Sequence, residues 1–133
     1  MTIYVDSSAL AKLYLDEPDS DAATEILVDE HWTTARHAYV EVGRALHRAL
    51  SGSPLRRARE SFEDNWGDVQ IVELDEKTCR EAVDLAETTG VRTLDALHLA
   101  AAQRAGAPKL TFVTFDHRQA QAARLLGWTV VGA

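Results

Sequence analysis

Short apolar runs alternate along the chain with longer segments in which apolar residues recur every three or four positions. The first pattern predicts strands and the second predicts amphipathic helices. The apolar runs that predict strands cover residues 2–5, 32–35, 69–74, 110–115 and 128–131. Short strands separated by helices are typical of βα units, in which helices cover both faces of a mostly parallel sheet. The pattern therefore predicts an α/β fold.

Seven segments have helical periodicity, and one of them differs from the others in its apolar content. The predicted helices cover residues 7–15, 21–29, 39–50, 55–66, 76–87, 94–105 and 119–126. The clearest break between two helices is the Ser-Gly-Ser-Pro stretch at residues 51–54. The segment 94–105 is apolar nearly all round, which is typical of a buried helix.

Length and composition exclude several classes of protein. The chain has 133 residues, of which 46% are hydrophobic, so it has the size of one domain (residues 1–133) and is too apolar for intrinsic disorder. The single Cys79 excludes a disulfide framework and a cysteine-based zinc site. No apolar run approaches the ~20 residues of a membrane span, and no signal-peptide pattern is present at the start. We expect a cytoplasmic protein that does not contact a membrane.

The charges are segregated along the chain, which matters for nucleic-acid binding. The net charge of −7 argues against binding by bulk electrostatics. Residues 1–30 carry eight acids and one base, whereas residues 36–59 carry six arginines and one acid. The arginines are either a basic strip that contacts a polyanion or a solvated helix face. Charge alone leaves both interpretations open.

Two aspartates follow predicted strands. Asp6 closes the first strand, and Asp116 follows the strand at 110–115. Each is a good candidate for a helix N-cap, because aspartate accepts hydrogen bonds from the free N–H groups of a first turn. Ligands of open α/β sheets bind beyond the carboxyl ends of the strands, so both aspartates are also expected near a ligand site.

Two further acids lie on predicted helices. Asp95 lies in the first turn of the apolar helix, where a carboxylate requires a partner or a cation. Glu41 lies at the edge of a core stripe, with Arg44 and Arg48 beside it. Glu41 is either one half of a surface pair with Arg44 or a carboxylate at the rim of a cleft.

The four acids together indicate a metal site. Clustered carboxylates repel one another unless a hard divalent cation binds them, and oxygen-only ligation suits Mg²⁺ or Mn²⁺. Such ions activate water and neutralise charge on a phosphoryl group. This chemistry favours phosphodiester hydrolysis. We expect Asp6 and Asp95 to be the principal metal ligands and Asp116 to contribute directly or through water, while Glu41 orients or deprotonates the attacking water, directly or through the metal.

Four stretches resemble the motifs of a known family. They are residues 5–12 (VDSSALAK), 40–46 (VEVGRAL), 93–100 (TLDALHLA) and 112–116 (FVTFD). In this order they resemble a PIN-domain protein, specifically a VapC-type toxin ribonuclease, over essentially the whole chain. The resemblance implies a three-layer α/β/α sandwich and an endoribonuclease that depends on Mg²⁺, with Mn²⁺ able to substitute.

The resemblance also implies roles for particular residues and partners. The four acidic positions of the family's site fall on Asp6, Glu41, Asp95 and Asp116. The small hydroxyl position falls on Ser7 or Ser8, and the polar position before the last acid falls on Thr114. Toxins of this type usually pair with an antitoxin, here one of VapB type, and usually form homodimers. The charge pattern, and not the resemblance, offers an RNA substrate a basic strip consisting of Arg44, Arg48, Arg56, Arg57 and Arg59.

Other interpretations remain open from the sequence. A receiver-type module also places aspartates at strand ends and binds Mg²⁺, and a catalytically inactive domain of the same fold would bind RNA or protein only. The chain contains no phosphate-binding glycine loop and no nucleophile elbow. The histidines have no metal-binding spacing. His98 lies three residues after Asp95, so it either approaches the cleft or serves in helix packing, and packing is the favoured interpretation.

Overall fold

The computed structural model describes all residues from Met1 to Ala133 and contains five strands and seven helices. The strands are β1 (Thr2–Val5), β2 (His31–Ala35), β3 (Gln70–Val72), β4 (Thr111–Thr114) and β5 (Val130–Gly132). The helices are α1 (Ser7–Lys12), α2 (Ser20–Leu27), α3 (Ala38–Ala49), α4 (Gly52–Trp66), α5 (Glu76–Thr89), α6 (Thr93–Ala105) and α7 (His117–Leu125). No helix combines the length and the hydropathy that a membrane span requires.

All strands of the sheet are parallel, in the order β3-β2-β1-β4-β5. The chain builds one half of the sheet outward from β1 and then returns to build the other half from β4. The order therefore reverses between β1 and β4, which is the point where open α/β sheets bind ligands. This order differs from the 2-1-3-4-5 order of receiver modules, so the receiver interpretation is wrong.

Helices cover both faces of the sheet, which confirms the predicted three-layer α/β/α fold. Side chains of β1 alternate between the two layers. Tyr4 packs in one apolar cluster with Leu99 and Phe112, and Ile3 and Val5 pack in the other. In α6, the residues from Leu99 to Ala102 are fully buried, which confirms that this helix lies in the interior.

Two helix boundaries differ by three residues from the prediction: α1 ends at Lys12 instead of residue 15, and α4 begins within the predicted break at residues 51–54. Only Leu50 and Ser51 are extended, and α4 already begins at Gly52. Pro54 falls in the first turn of α4, where the missing N–H has no helical partner to lose and the fixed φ suits the helix. The proline is therefore compatible with the first turn, and the helix begins before it, at Gly52.

The last strand also begins later than predicted. Trp128 precedes β5, and its ring packs against Phe112 at a centroid distance of 5.8 Å. Its buried side chain contributes to the core, while strand pairing to β4 begins at Val130.

Candidate active site

Two adjacent strands of the sheet place Asp6 and Asp116 at the same edge. The backbone N–H of Asp6 donates to the carbonyl of Val113 at 3.1 Å, which extends the β1–β4 pairing to the start of α1. The Asp6 carboxylate accepts from the Ala9 N–H at 3.2 Å. The Asp116 carboxylate accepts from two N–H groups at the start of α7, at 2.8 and 3.1 Å. Both aspartates are N-caps, as predicted, and both lie at the point where the strand order reverses.

Hydroxyl groups surround the Asp6 carboxylate. Ser8 Oγ donates to Asp6 Oδ1 at 2.6 Å, and Thr114 Oγ1 donates to Oδ2 at 2.5 Å. The same hydroxyls accept from the N–H groups of Phe115 and Asp116. Burial raises the pKa of Asp6, against the opposing effects of the nearby His98 and of these hydroxyls. The hydroxyl groups therefore orient a buried acid and join it to the end of β4.

Asp95 contributes a carboxylate without a partner. Its backbone carbonyl accepts from the Gln119 side chain at 3.0 Å, which joins α6 to α7. Its side chain forms no hydrogen bond and no ion pair in the structure. Burial raises the pKa of Asp95, and the negative charge of Asp116 raises it further, with smaller contributions from Asp6 and Glu41. The four predicted acids thus lie close enough to influence one another's charge.

Glu41 is bound by histidines and forms no ion pair with the arginines beside it in sequence. Its Oε1 lies 2.7 Å from His98 Nε2 and 3.5 Å from His37 Nε2, and no ion pair with Arg44 forms. The surface-pair interpretation is therefore wrong. Burial acts to raise the pKa of Glu41, but the hydrogen bond and the charge of His98 outweigh it, with smaller effects of His37 and Ser7, and the pKa is lowered. Ser7 thus adjoins Glu41, whereas Ser8 contacts Asp6.

His98 has a second role besides the predicted packing. Its side chain is 1% exposed, and its Nδ1 lies 2.8 Å from the Tyr4 hydroxyl while Nε2 contacts Glu41. Because an ionised carboxylate only accepts hydrogen bonds, Nε2 carries a proton. The sequence signal for this role is the spacing of three residues from Asp95, which places both side chains on one face of α6.

His37 lies at the site although its position in the sequence gave no signal for it. Burial lowers the pKa of His37 to about 4, and the positive charge of His98 contributes. The ring is therefore neutral at pH 7, and it lies against the ring of His98 at a centroid distance of 4.2 Å.

The donor set fits a hard divalent cation. The unpartnered carboxylate of Asp95 lies in the field of three other acids, and carboxylate oxygens are the ligands that Mg²⁺ and Mn²⁺ prefer. A second possible ligand group consists of His37, Glu41 and His98, whose ligand atoms lie within 4.8 Å of one another. Its nitrogen donors suit a zinc-type ion, but Glu41 and His98 Nε2 already contact each other at 2.7 Å, and His37 Nε2 contacts the carbonyl of Leu94 at 3.1 Å. The oxygen site is therefore the better candidate.

Comparison with known proteins identifies the family. Residues 3–125 match the PIN domain family. The chain belongs to the PIN-domain family. The PIN domain is 36% identical over 141 aligned residues to Ribonuclease VapC46 of Mycobacterium tuberculosis, and the alignment covers 97% of this chain and 95% of that relative. The resemblance to VapC-type proteins is thereby confirmed.

Solved structures agree with the fold of the PIN domain. VapC20 of Mycobacterium tuberculosis, described as a toxin that cleaves the sarcin-ricin loop, superposes with a TM-score of 0.77 at 17% identity, covering 98% of this chain and 99% of that one. VapBC2 of Rickettsia felis, bound to a DNA fragment from its promoter, superposes with a TM-score of 0.67 at 14% identity, covering 100% and 99%. At these identities the two structures show the fold alone.

The predicted basic strip of the PIN domain is divided between two surfaces. Arg48 lines a groove that also contains Asp116, and Arg44 is exposed on α3. Arg56 and Arg59 line a separate depression on α4 together with Glu60, Glu63 and Asp64. Arg57 is exposed on the same helix. Only Arg48 lines a surface that contains one of the four acids, and RNA binding by the strip stays a prediction.

Proposed function

We propose that this PIN domain is a metal-dependent endoribonuclease that hydrolyses RNA phosphodiester bonds and acts as the toxin of a toxin–antitoxin pair. The observation that carries the proposal is the unpartnered carboxylate of Asp95 among four acids at the carboxyl ends of β1 and β4. The relatives named as VapC ribonucleases, which the chain matches over nearly their whole length, support RNA as the substrate.

The metal-binding residues of the proposal are Asp6, Asp95 and Asp116, with Mg²⁺ as the ion and Mn²⁺ as a substitute. A bound ion of this kind activates water and neutralises charge on the phosphoryl group. Asp6 is oriented by Ser8 and Thr114, so its carboxylate needs little reorganisation to bind a cation.

Glu41 is the residue that orients or deprotonates the attacking water. Its lowered pKa keeps the carboxylate ionised at neutral pH, so that it accepts a hydrogen bond from water. Its side chain is 23% exposed, whereas its partner His98 is buried. One side of the carboxylate is thus held by the protein and the other remains open to substrate.

The proposal predicts that Asp95→Asn abolishes cleavage while the fold is retained. Neutral asparagine is close in size to aspartate but removes the charge that binds the cation. The measurement is cleavage of single-stranded RNA in Mg²⁺ or Mn²⁺, with sequencing of the product ends. Attack by water yields 5′-phosphate and 3′-hydroxyl ends. The control is Asp84→Asn, an exposed acid on α5, which should cleave like the wild type.

Two results would contradict this mechanism. Cleavage at the wild-type rate by a folded Asp95→Asn variant would exclude the carboxylate cluster as the site. A 2′,3′-cyclic phosphate product would identify the ribose 2′-hydroxyl as the nucleophile in place of water.

The partners that we propose are a VapB-type antitoxin and a second copy of this chain. Structural neighbours from several bacteria include toxin–antitoxin complexes, among them VapBC-1 of nontypeable Haemophilus influenzae and VapBC-5 of Mycobacterium tuberculosis. We expect that production of this chain alone arrests growth and that co-expression with the antitoxin relieves the arrest.

A further inference from the structure

A cavity of about 640 Å³ opens beside Asp95, between the end of α5, the start of α6 and α7. Three of the ten residues that line it are the arginines Arg92, Arg118 and Arg124. Asp95 is the single acidic residue among those ten. We call this space the arginine cavity. The cavity therefore places three arginines next to Asp95, which is one of the four acids of the proposed catalytic cluster.

The arginines of the cavity are mostly free of protein partners. Neither Arg92 nor Arg118 forms an ion pair, and Arg124 donates to the carbonyl of Ala133 at 2.6 Å. Three other arginines are neutralised by nearby carboxylates: Arg36 by Glu73 at 2.7 Å, Arg80 by Glu76 at 2.6 Å and Arg104 by Asp75 at 3.5 Å. The arginines of the basic strip on α3 and α4 also form no ion pair, but they are spread over two surfaces. In a chain of net charge −7, unpaired arginines that surround one cavity indicate an anionic ligand.

We propose that the arginine cavity binds the phosphate backbone of single-stranded RNA next to the scissile bond. This inference rests on the proposed function and specifies the path of its substrate. Guanidinium groups bind phosphate through two parallel hydrogen bonds, which fixes the position of the backbone without selecting a base. An RNA strand held there places a neighbouring phosphate over Asp95.

A groove on the other side of the cluster accommodates the continuing strand. It contains Asp116, Lys12 and Arg48. Lys12 already pairs with Glu17 at 3.3 Å and with Asp19 at 3.8 Å, so its charge is partly neutralised. Arg48 forms no ion pair, so this groove offers the strand one free arginine, whereas the arginine cavity offers both Arg92 and Arg118. The strand crosses the acids on its way between the two openings.

The arginines of α4 are the competing path for the substrate. Arg56 and Arg59 share their depression with three acids, and Arg56 donates to Ser53 at 2.9 Å. Nearby carboxylates repel phosphate and offset the attraction of these arginines. The two arginine sets therefore make different predictions for the salt dependence of RNA binding.

The experiment compares the double variant Arg92→Gln/Arg118→Gln with the triple variant Arg56→Gln/Arg57→Gln/Arg59→Gln. Binding of a fluorescein-labelled single-stranded RNA is followed by anisotropy in EDTA, at several salt concentrations, so that no cleavage occurs. The double variant should bind roughly tenfold more weakly at low salt. Its slope of log K against log salt should be less steep by about 1.4, or ~0.7 per lost contact. The triple variant should keep the wild-type slope.

Three results would overturn the assignment. The first is an unchanged slope in the folded double variant, and the second is a reduced slope in the triple variant alone. The third is equally tight binding of an oligo-glutamate peptide with the charge of the RNA, which would indicate an acidic protein partner in place of RNA. Because binding is measured without metal, an RNA-binding protein that never cleaves would contradict the proposed function and leave the cavity assignment intact.

Discussion

At the residue scale, a buried hydrogen-bonded chain from Tyr4 through His98 determines how Glu41 faces the site. Tyr4 is fully buried and stacks on Phe112, so its hydroxyl is a fixed partner for His98 Nδ1. A fixed ring in turn holds the Glu41 carboxylate at 2.7 Å. Because we propose that Glu41 acts on the attacking water, its position matters: small displacements from the reactive geometry reduce the rate of a reaction strongly.

Substitution of His98 should therefore act on the chemical step more than on substrate binding. We expect His98→Leu to lower kcat roughly 10- to 100-fold, with KM within about twofold of the wild type. His98→Gln should restore part of the rate, because its amide N–H also reaches Glu41. The measurement is the rate of RNA cleavage over a range of substrate concentrations. Equal rates in the Gln and Leu variants would mean that His98 serves in packing alone.

At the element scale, two hydroxyl groups join the end of β4 to the start of α1. Ser8 is in the first turn of α1 and accepts from the N–H of Phe115, while Thr114 ends β4 and donates to Asp6. The junction lies between β1 and β4, where the strand order of the sheet reverses. It therefore holds together the two elements that position Asp6 and Asp116. Its stability depends on the hydroxyl of Thr114, which is fully buried.

Thr114→Val is nearly isosteric and removes only this hydroxyl. The substitution leaves Asp6 Oδ2 and the N–H of Asp116 without their partners, so we expect a loss of about 1–3 kcal/mol in the free energy of unfolding. Urea denaturation measures this loss. The control is Thr111→Val on the same strand, where Thr111 is only partly buried and the change should stay within about 0.5 kcal/mol. Equal effects of the two substitutions would contradict a role for the hydroxyl network.

At the scale of the whole molecule, two carboxylates of the proposed metal site, those of Asp95 and Asp6, oppose folding when they are ionised. The pKa of Asp95 is raised in the folded state, first by burial and then by Asp116, so the folded protein holds this proton more tightly than the unfolded chain. The free energy of unfolding therefore falls as the pH rises from the pKa that Asp95 has in the unfolded chain to the higher pKa that it has in the folded protein. Above both values, the ionised carboxylate destabilises the folded state. Asp6 acts in the same direction.

Asp95→Asn should consequently stabilise the metal-free protein. In EDTA at pH 7 we expect its Tm to exceed that of the wild type by roughly 2–5 °C, and the difference should shrink as the pH is lowered through the acid range. Addition of Mn²⁺ should raise the Tm of the wild type more than that of the variant, because the ion binds the folded state. A variant that is less stable than the wild type in EDTA would show that Asp95 is stabilising without a metal.

Local patterns in the chain predicted much of this organisation. The apolar runs predicted the parallel sheet, and the predicted caps Asp6 and Asp116 were confirmed, because a cap depends on residues only two or three positions away. The predicted start of α4 was wrong, because a proline in the first turn of a helix gives the same local sequence pattern as a proline that follows the end of a helix. These elements depend on their immediate neighbours in the sequence, where periodicity and capping rules apply.

The sequence by itself determined the α/β class, the four acids and the side of the sheet where they meet. Only the tertiary structure decided their partners, since His98 contacts Glu41 across 57 positions and Tyr4 across 94. It also decided that the free arginines beside Asp95 are Arg92 and Arg118, which no charge run in the sequence singles out. The ends of strands follow from the local sequence pattern. Side chains that crossover connections bring together depend instead on how the helices pack on the sheet, and this packing determines the pKa values of the acids at the site.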